Sequence, residues 1–396
     1  MTFEEQLQAA LEARRNENLY RKRLVVGSAQ GVRVIRNEKE YLSFCSNDYL
    51  ALSNEPRIIN AMQNAAEQFG VGSGASHLVC GHSEEHHFLE DELAQFTGRP
   101  RALLFSSGYM ANVGVISALL GRGDAVLQDK LNHASLIDGA LQSGAEFLRY
   151  RHNDMQHLRE KLQNCKARRK LIVVDGVFSM DGDEAQLKDI CALAKAHDAW
   201  VMVDDAHGFG VHGEHGSGTV NKLGLGLDDV QIVVGTLGKA FGTYGAFVAG
   251  SETLIESLIQ FARTYIYTTA LPPAVAAATS ASLNIVMEEE HRREQLRTLI
   301  THFRNKCAAY SIPLMPSSSP IQPIVIGDEA EALEISQRLE AKGIWLTAIR
   351  PPTVPKGTSR LRVTFSAAHS LADVNVLVEA ICEAMDEIKA SSKQPS

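Results

Sequence analysis

The chain has 396 residues, 45% of them hydrophobic and 22% charged, which is an ordinary globular composition and excludes disorder for the bulk of the chain. Its length predicts two or three domains at roughly 150 residues each, with enough buried surface to fold without a disulfide or a structural metal. The 39 Lys and Arg against 47 Asp and Glu leave a net charge of −8; the nearest things to a basic stripe are the short runs Arg21-Lys22-Arg23 and Arg168-Arg169-Lys170, which argues against a nucleic-acid partner.

Residues 1–23 read as an amphipathic helix. Its acids Glu4, Glu5 and Glu12 are unlike a signal or transit peptide. Val32 to Ile35 and Tyr41 to Phe44 read as short strands, and Pro56 to Phe69 as a helix. Gly70 to Gly81 reads as a Gly-rich loop, followed by Ser83 as the N-cap of a helix whose first turn holds Glu84 and Glu85. From Arg101 the rhythm becomes strand then helix, with strands at Arg101 to Phe105, Asp124 to Gln128, Leu171 to Asp175, Trp200 to Asp204 and Gln231 to Gly235. The last three are continuous Val- and Ile-rich runs, the mark of a parallel sheet buried on both faces. Gly245 to Ala249 follows too soon for a helical crossover, which allows an antiparallel pairing.

Near Pro272 the composition changes. A charged helical stretch runs from Pro273 to Tyr310. Strands follow at Ile321 to Ile326, Ile344 to Ile349 and Leu361 to Phe365, with helices at Ala330 to Lys342 and Leu371 to Lys389. This α+β order predicts a smaller second domain. The expected division is an N-terminal arm (1–45), a large α/β domain with a mostly parallel sheet (46–275), a small α+β domain (276–390) and a disordered tail (391–396). The six cysteines form no C-x-x-C pair, and they read as reduced thiols of a cytoplasmic protein with no metal site. The longest uncharged run, Thr264 to Met287, contains Pro272-Pro273 and many hydroxyl residues, so no membrane span is expected.

Ligands of open parallel sheets bind beyond the carboxyl ends of the strands. Those ends carry Ser106-Ser107-Gly108-Tyr109, Asp175 to Ser179, Asp204 to His207 and Gly235 to Lys239. A helix N-terminus opening with Ser and Gly is an anion site, to which Thr236 can add a hydroxyl. A lysine at an apolar strand end can have its pKa lowered and form a Schiff base. A carboxylate there can keep a ring nitrogen protonated. Phosphate, aldehyde and pyridine nitrogen are the three handles of pyridoxal 5′-phosphate (PLP), and the set fits it. The segment Gly70 to Ala75 matches the dinucleotide pattern G-x-G-x-x-[GA], but it follows a helix instead of a strand.

WVMVDDAHG (Trp200 to Gly208), GTLGKAFG (Gly235 to Gly242) and FSMDGD (Phe178 to Asp183) resemble the α-oxoamine synthases, PLP enzymes of fold type I. SNDYL (Ser46 to Leu50), LNHASL (Leu131 to Leu136) and RPPTVPKGTSRLR (Arg350 to Arg362) fit the same family, so the resemblance spans about residues 15 to 385. It implies Lys239 as the Schiff-base lysine, Asp204 at the pyridinium and His207 at the phenolic oxygen. It also implies His133 stacked on one ring face with Ala206 below, Gly108, Tyr109 and Thr236 at the phosphate, and Ser179 beside the ring. Arg350, aided by Asn47, would bind the amino acid carboxylate, and Arg21 and Thr353 would contact the acyl donor or product. Ala75 and His77 depart from the Gly and Arg of many relatives. Within the family, DDAHG and Ile321-Gln322-Pro323 favour the biotin-pathway members, which condense L-alanine with a pimeloyl thioester of coenzyme A or acyl carrier protein and work as homodimers with the site at the interface. Glycine C-acetyltransferase and 5-aminolevulinate synthase are the alternatives; an aminotransferase would need a second carboxylate site instead.

Overall fold

The computed structural model describes residues 1–17, 19–351 and 353–391. The expected tail at 391–396 lies outside them but for the backbone of its first residue. Among the described residues, β1 (Arg33–Arg36) and β2 (Lys39–Ser43) form an N-terminal hairpin. Seven strands follow, with a helix between each successive pair except the last: β3 (Arg101–Phe105), β4 (Ala125–Asp129), β5 (Glu146–Tyr150), β6 (Lys170–Asp175), β7 (Trp200–Asp204), β8 (Ile232–Thr236) and β9 (Ala246–Gly250). The C-terminal third holds β10 (Ile321–Gly327), β11 (Ile344–Trp345), β12 (Ala348–Ile349) and β13 (Ser359–Thr364).

The seven strands make one sheet in the order β3-β9-β8-β7-β6-β4-β5. Every neighbouring pair is parallel except those of β9, which runs against both β8 and β3. The short link that admitted an antiparallel β9 therefore forms one. Ile172 and Val174 face one core, with Leu127 and Val203; Val173 faces the other, with Val126, Met202 and Val234. Burying each such side chain contributes about 1.5–3 kcal/mol before entropy is counted, so the continuous apolar runs are what hold the sheet between two helical layers. All the strands but β9 present their carboxyl ends on one rim.

Four expectations change. The first helix is Phe3–Asn16, capped by Thr2 and Glu5 and with no buried residue; without packing, caps and propensity alone sustain it, and it ends short of residue 23. The Gly-rich segment closes in a π-helical turn, His77–Gly81. A Cβ at Gly81 would lie 2.1 Å from the Ala75 carbonyl oxygen, so the turn needs glycine there. The helical stretch 273–310 is two helices, Pro273–Glu288 and Glu290–Ala309, broken at Glu289 (φ −97°, ψ 70°); a one-residue break leaves the apolar periodicity nearly intact. The strand 344–349 is two: β11 pairs parallel with β2 and β12 antiparallel with β13. The N-terminal hairpin is thereby tied to the C-terminal third of the chain.

Candidate active site

After β3, the Ser107 hydroxyl accepts from the Met110 N–H at 3.3 Å and caps the helix Gly108–Leu119. The first N–H groups of a helix lack intrahelical partners and favour an anion. Opposite them stands Thr236, whose buried Oγ1 has no hydrogen-bond partner among the described residues. A Cβ on Gly108 would meet the Thr236 Cγ2 at 2.6 Å, so only glycine lets the two strand ends approach. The Tyr109 ring is exposed and its hydroxyl donates to Asp138 at 2.6 Å, leaving its backbone for the anion.

Asp204, buried at the end of β7, accepts from Asn112 Nδ2 at 2.6 Å on one oxygen and from the Ala206 N–H at 3.0 Å on the other. Its carboxylate is thus fixed in direction. Asp175 stands across the ladder from it; burial and the charge of Asp204 hold Asp175 well above the usual carboxylate range, while its Oδ2 accepts the His133 N–H at 2.7 Å. His133 caps the helix Ala134–Ser143 through Nδ1, and burial lowers its pKa.

The Lys239 amine sits 3.0 Å from Nε2 of His207, and the Tyr49 hydroxyl 2.5 Å from Nδ1 of the same ring. Burial pushes Lys239 down to about 8 against the pull of Asp204 and Asp175. Burial, with the charges of Lys239 and Arg362 nearby, holds His207 well below the imidazole range, and burial raises Tyr49 to about 12. His207 is therefore a neutral imidazole and Tyr49 a neutral phenol near pH 7.

These groups open on a cavity of about 310 Å³ lined by Asn47, His133, Ser179, His207, Lys239 and Arg362 among others. A second cavity of about 670 Å³ shares His133, Ser179 and Met180 with it and adds Arg21, Lys130, Arg149 and Thr353. Of the residues implied for the cofactor, His133, Ser179, His207 and Lys239 line the smaller cavity, while Asp204, Ala206, Thr236, Gly108 and Tyr109 stand at or just past strand ends on the same rim. The structure does not bring Arg350 in: this residue follows β12, lines neither cavity, and its carbonyl accepts from Thr353 in a turn. Arg362 stands by Asn47 instead, donating to its Oδ1 at 3.2 Å and to the Ser179 carbonyl at 2.7 Å. Sequence reasoning gave no role to Arg362, Tyr49 or Asn112. The first two lie inside the motifs RPPTVPKGTSRLR and SNDYL; Asn112 sits in a helix with no local signal. Two histidine clusters with ligand atoms in reach of one another, His77, His82, His86 and His82, His87, Glu90, line neither cavity. Both ring nitrogens of His86 are already engaged, by Ser83 and by the Leu271 carbonyl.

An orphaned hydroxyl facing a helix N-terminus, a fixed buried carboxylate and a desolvated amine are the donor set that PLP requires. The chain matches the family model for class I and II aminotransferases over residues 39–381. It belongs to that family, as a PLP-dependent transferase of fold type I. It is 63% identical over 390 residues to 8-amino-7-oxononanoate synthase of Saccharophagus degradans, with 98% of each chain covered. A serine palmitoyltransferase from S. paucimobilis, solved with PLP and myriocin, superposes with a TM-score of 0.91 at 32% identity, covering 97% of this chain and 98% of that one. An 8-amino-7-oxononanoate synthase from Francisella tularensis gives 0.78 at 32% identity, covering 88% and 99%. The chain is accordingly an acyl-transferring enzyme of the biotin-pathway group, with PLP as its cofactor.

Proposed function

We propose that the protein condenses L-alanine with a pimeloyl thioester, of coenzyme A or acyl carrier protein, to give 8-amino-7-oxononanoate, CO₂ and free thiol. The observation that carries this reading is the pair of joined cavities. The smaller one, with its Asn47–Arg362 pair, suits an α-amino acid. The larger one, with Arg21, Lys130 and Arg149 in its lining, suits an anionic acyl donor in an otherwise acidic protein.

Bound PLP supplies an electron sink for a carbanion at the amino acid Cα. Lys239 would hold the cofactor through its aldehyde, and its amine, lowered by burial to about 8, would be suited to take and return the Cα proton. Asp204 keeps the ring nitrogen protonated, aimed by Asn112 and the Ala206 N–H. His207, neutral and held by Tyr49, hydrogen-bonds the phenolic oxygen. His133 and Ala206 would hold the cofactor ring between them, and Ser179 would line the same cavity beside it. Thr236 and the N–H groups of Gly108 and Tyr109 take the phosphate. Arg362 with Asn47 would hold the alanine carboxylate and so select which Cα bond is broken; Arg350 lines neither cavity. Arg21 and Thr353 contact the acyl chain in the larger cavity.

The reading extends to a homodimer in the cytoplasm. The first helix buries none of its residues, and Val71, Leu78, Val79 and Phe88 are exposed around the Gly-rich segment, surface that a second copy would cover. The described cysteines are free, as in a reducing compartment, and no described helix is long and apolar enough to cross a membrane. The test is a matrix of alanine, glycine and serine against acetyl and pimeloyl thioesters, read by thiol release. Turnover with alanine and pimeloyl thioester is expected. Preference for glycine with the acetyl donor, or amino transfer to a 2-oxo acid without thiol release, overturns the reading.

A further inference from the structure

His133 and Ser179 wall both cavities, yet they come from different loops. His133 follows β4, and Ser179 lies in the turn after β6. β4 and β6 are neighbours, and β5 lies beyond β4 at the edge of the sheet, with His152 and Asn153 just past its carboxyl end. His152 Nδ1 lies 3.0 Å from Asp129 Oδ1, at the end of β4, and its Nε2 lies 2.9 Å from Asp183 Oδ2, at the end of the turn that begins at Phe178. The ring meets Phe178 edge-on, with centroids 4.5 Å apart. Asn153 repeats the span: its N–H donates to Asp129 at 2.8 Å and its Nδ2 to Asp183 at 3.0 Å. From the far side, Arg360 pairs with Asp181 and Arg362 holds the Ser179 carbonyl. The turn is thus clamped between β5 and β13.

We propose that His152 is a positioning residue, which sets the gap between the His133 loop and the Ser179 turn without touching cofactor or substrate. Both ring nitrogens face carboxylates, so both must donate, and the ring must carry its proton. Burial opposes the charge, but the hydrogen bonds and charges of Asp129 and Asp183 overcome it and raise His152 to about 9. The other charged groups on this turn are already paired, Asp181 with Arg360 and Glu184 with Lys222. A neutral ring has one N–H and can hold only one of the two loops.

The consequence for acyl transfer rests on the proposed function; the consequence for the cofactor does not. The test takes the holoenzyme of His152→Gln and of Asp183→Asn, with three readouts: visible circular dichroism of bound PLP without substrate, kcat and KM separately, and the melting temperature. Expected for His152→Gln are retained cofactor, an altered dichroic band and a KM for the thioester raised about tenfold or more. Wild type is expected to lose kcat/KM as pH rises through about 9; in Asp183→Asn, which keeps the shape of the site, we expect that loss to come at lower pH, because one carboxylate no longer supports the charge. An unchanged dichroic band and KM in His152→Gln, whatever its melting temperature, overturn the proposal, as does an unmoved alkaline limb in Asp183→Asn. If wild type does not turn over the thioester, the substrate reading fails, and the dichroic band still decides the role of His152.

Discussion

The Lys239 amine lies 3.0 Å from Nε2 of His207, and that contact fixes the donor sense of a chain running through the site. A lysine donates to Nε2, so the neutral ring carries its proton on Nδ1 and donates to Tyr49. Tyr49 in turn donates to Asn47 Oδ1 at 3.3 Å, the same oxygen that accepts from Arg362. One tautomer satisfies every link.

Lys239→Ala should abolish the visible absorbance of lysine-bound PLP and lower turnover by roughly 10³-fold or more, since both cofactor attachment and proton transfer are lost. Absorbance titration with PLP decides it: a spectrum like that of wild type contradicts the assignment.

Asp204→Asn keeps the size and the Ala206 N–H contact, but loses the negative charge. Cofactor binding should survive while kcat falls by about 10²–10⁴-fold, the range of a lost acid–base function. Normal turnover would remove Asp204 from the ring nitrogen.

Thr236→Val removes the one buried hydroxyl that lacks a partner in the cradle. The loss of a hydrogen bond to phosphate, about 1.5–3 kcal/mol, should weaken PLP roughly 10–150-fold. Gly108→Ala should weaken it as well, by driving Thr236 aside. Equilibrium dialysis against PLP measures both; unchanged affinity in the two variants places the phosphate elsewhere.

Tyr49→Phe leaves the buried His207 Nδ1 without its partner. The expected cost is about 1–3 kcal/mol of stability, read by denaturant unfolding of the apoprotein, together with reduced kcat because the ring is no longer held in one tautomer.

The folded-state pKa of His152 is raised to about 9, from about 6.5 in an unfolded chain. Its contribution to stability is fully present below pH 6.5 and is lost as pH rises through 9. Stability measured from pH 6 to 10 should decline across that window in wild type and decline less in His152→Gln. Parallel curves would show that the ring is uncharged in the fold.

The rim chemistry was legible because strand ends are local in sequence. An apolar run followed by Asp204-Asp205-Ala206-His207, or by Thr236-Leu237-Gly238-Lys239, places its polar residues at a sheet edge by strand geometry alone. Arg362 and Tyr49 were inside quoted motifs without a role, since a motif shows that a residue is present and not which way it faces. Asn112 was invisible, because an amide inside an apolar helix reads the same whether it faces a buried carboxylate or solvent.

The sequence alone determined the class of fold, the parallel sheet and PLP as cofactor, and it set the lysine, acid and histidine proposed to serve it on one rim, because each follows from residue type and short spacing. Only the tertiary structure decided that Arg362 and not Arg350 stands at Asn47, that β11 closes a sheet with the N-terminal hairpin, and that His152 binds two site loops together. Those are relations between residues up to about 300 positions apart. No local pattern encodes them; the packing of the two cores against one sheet does.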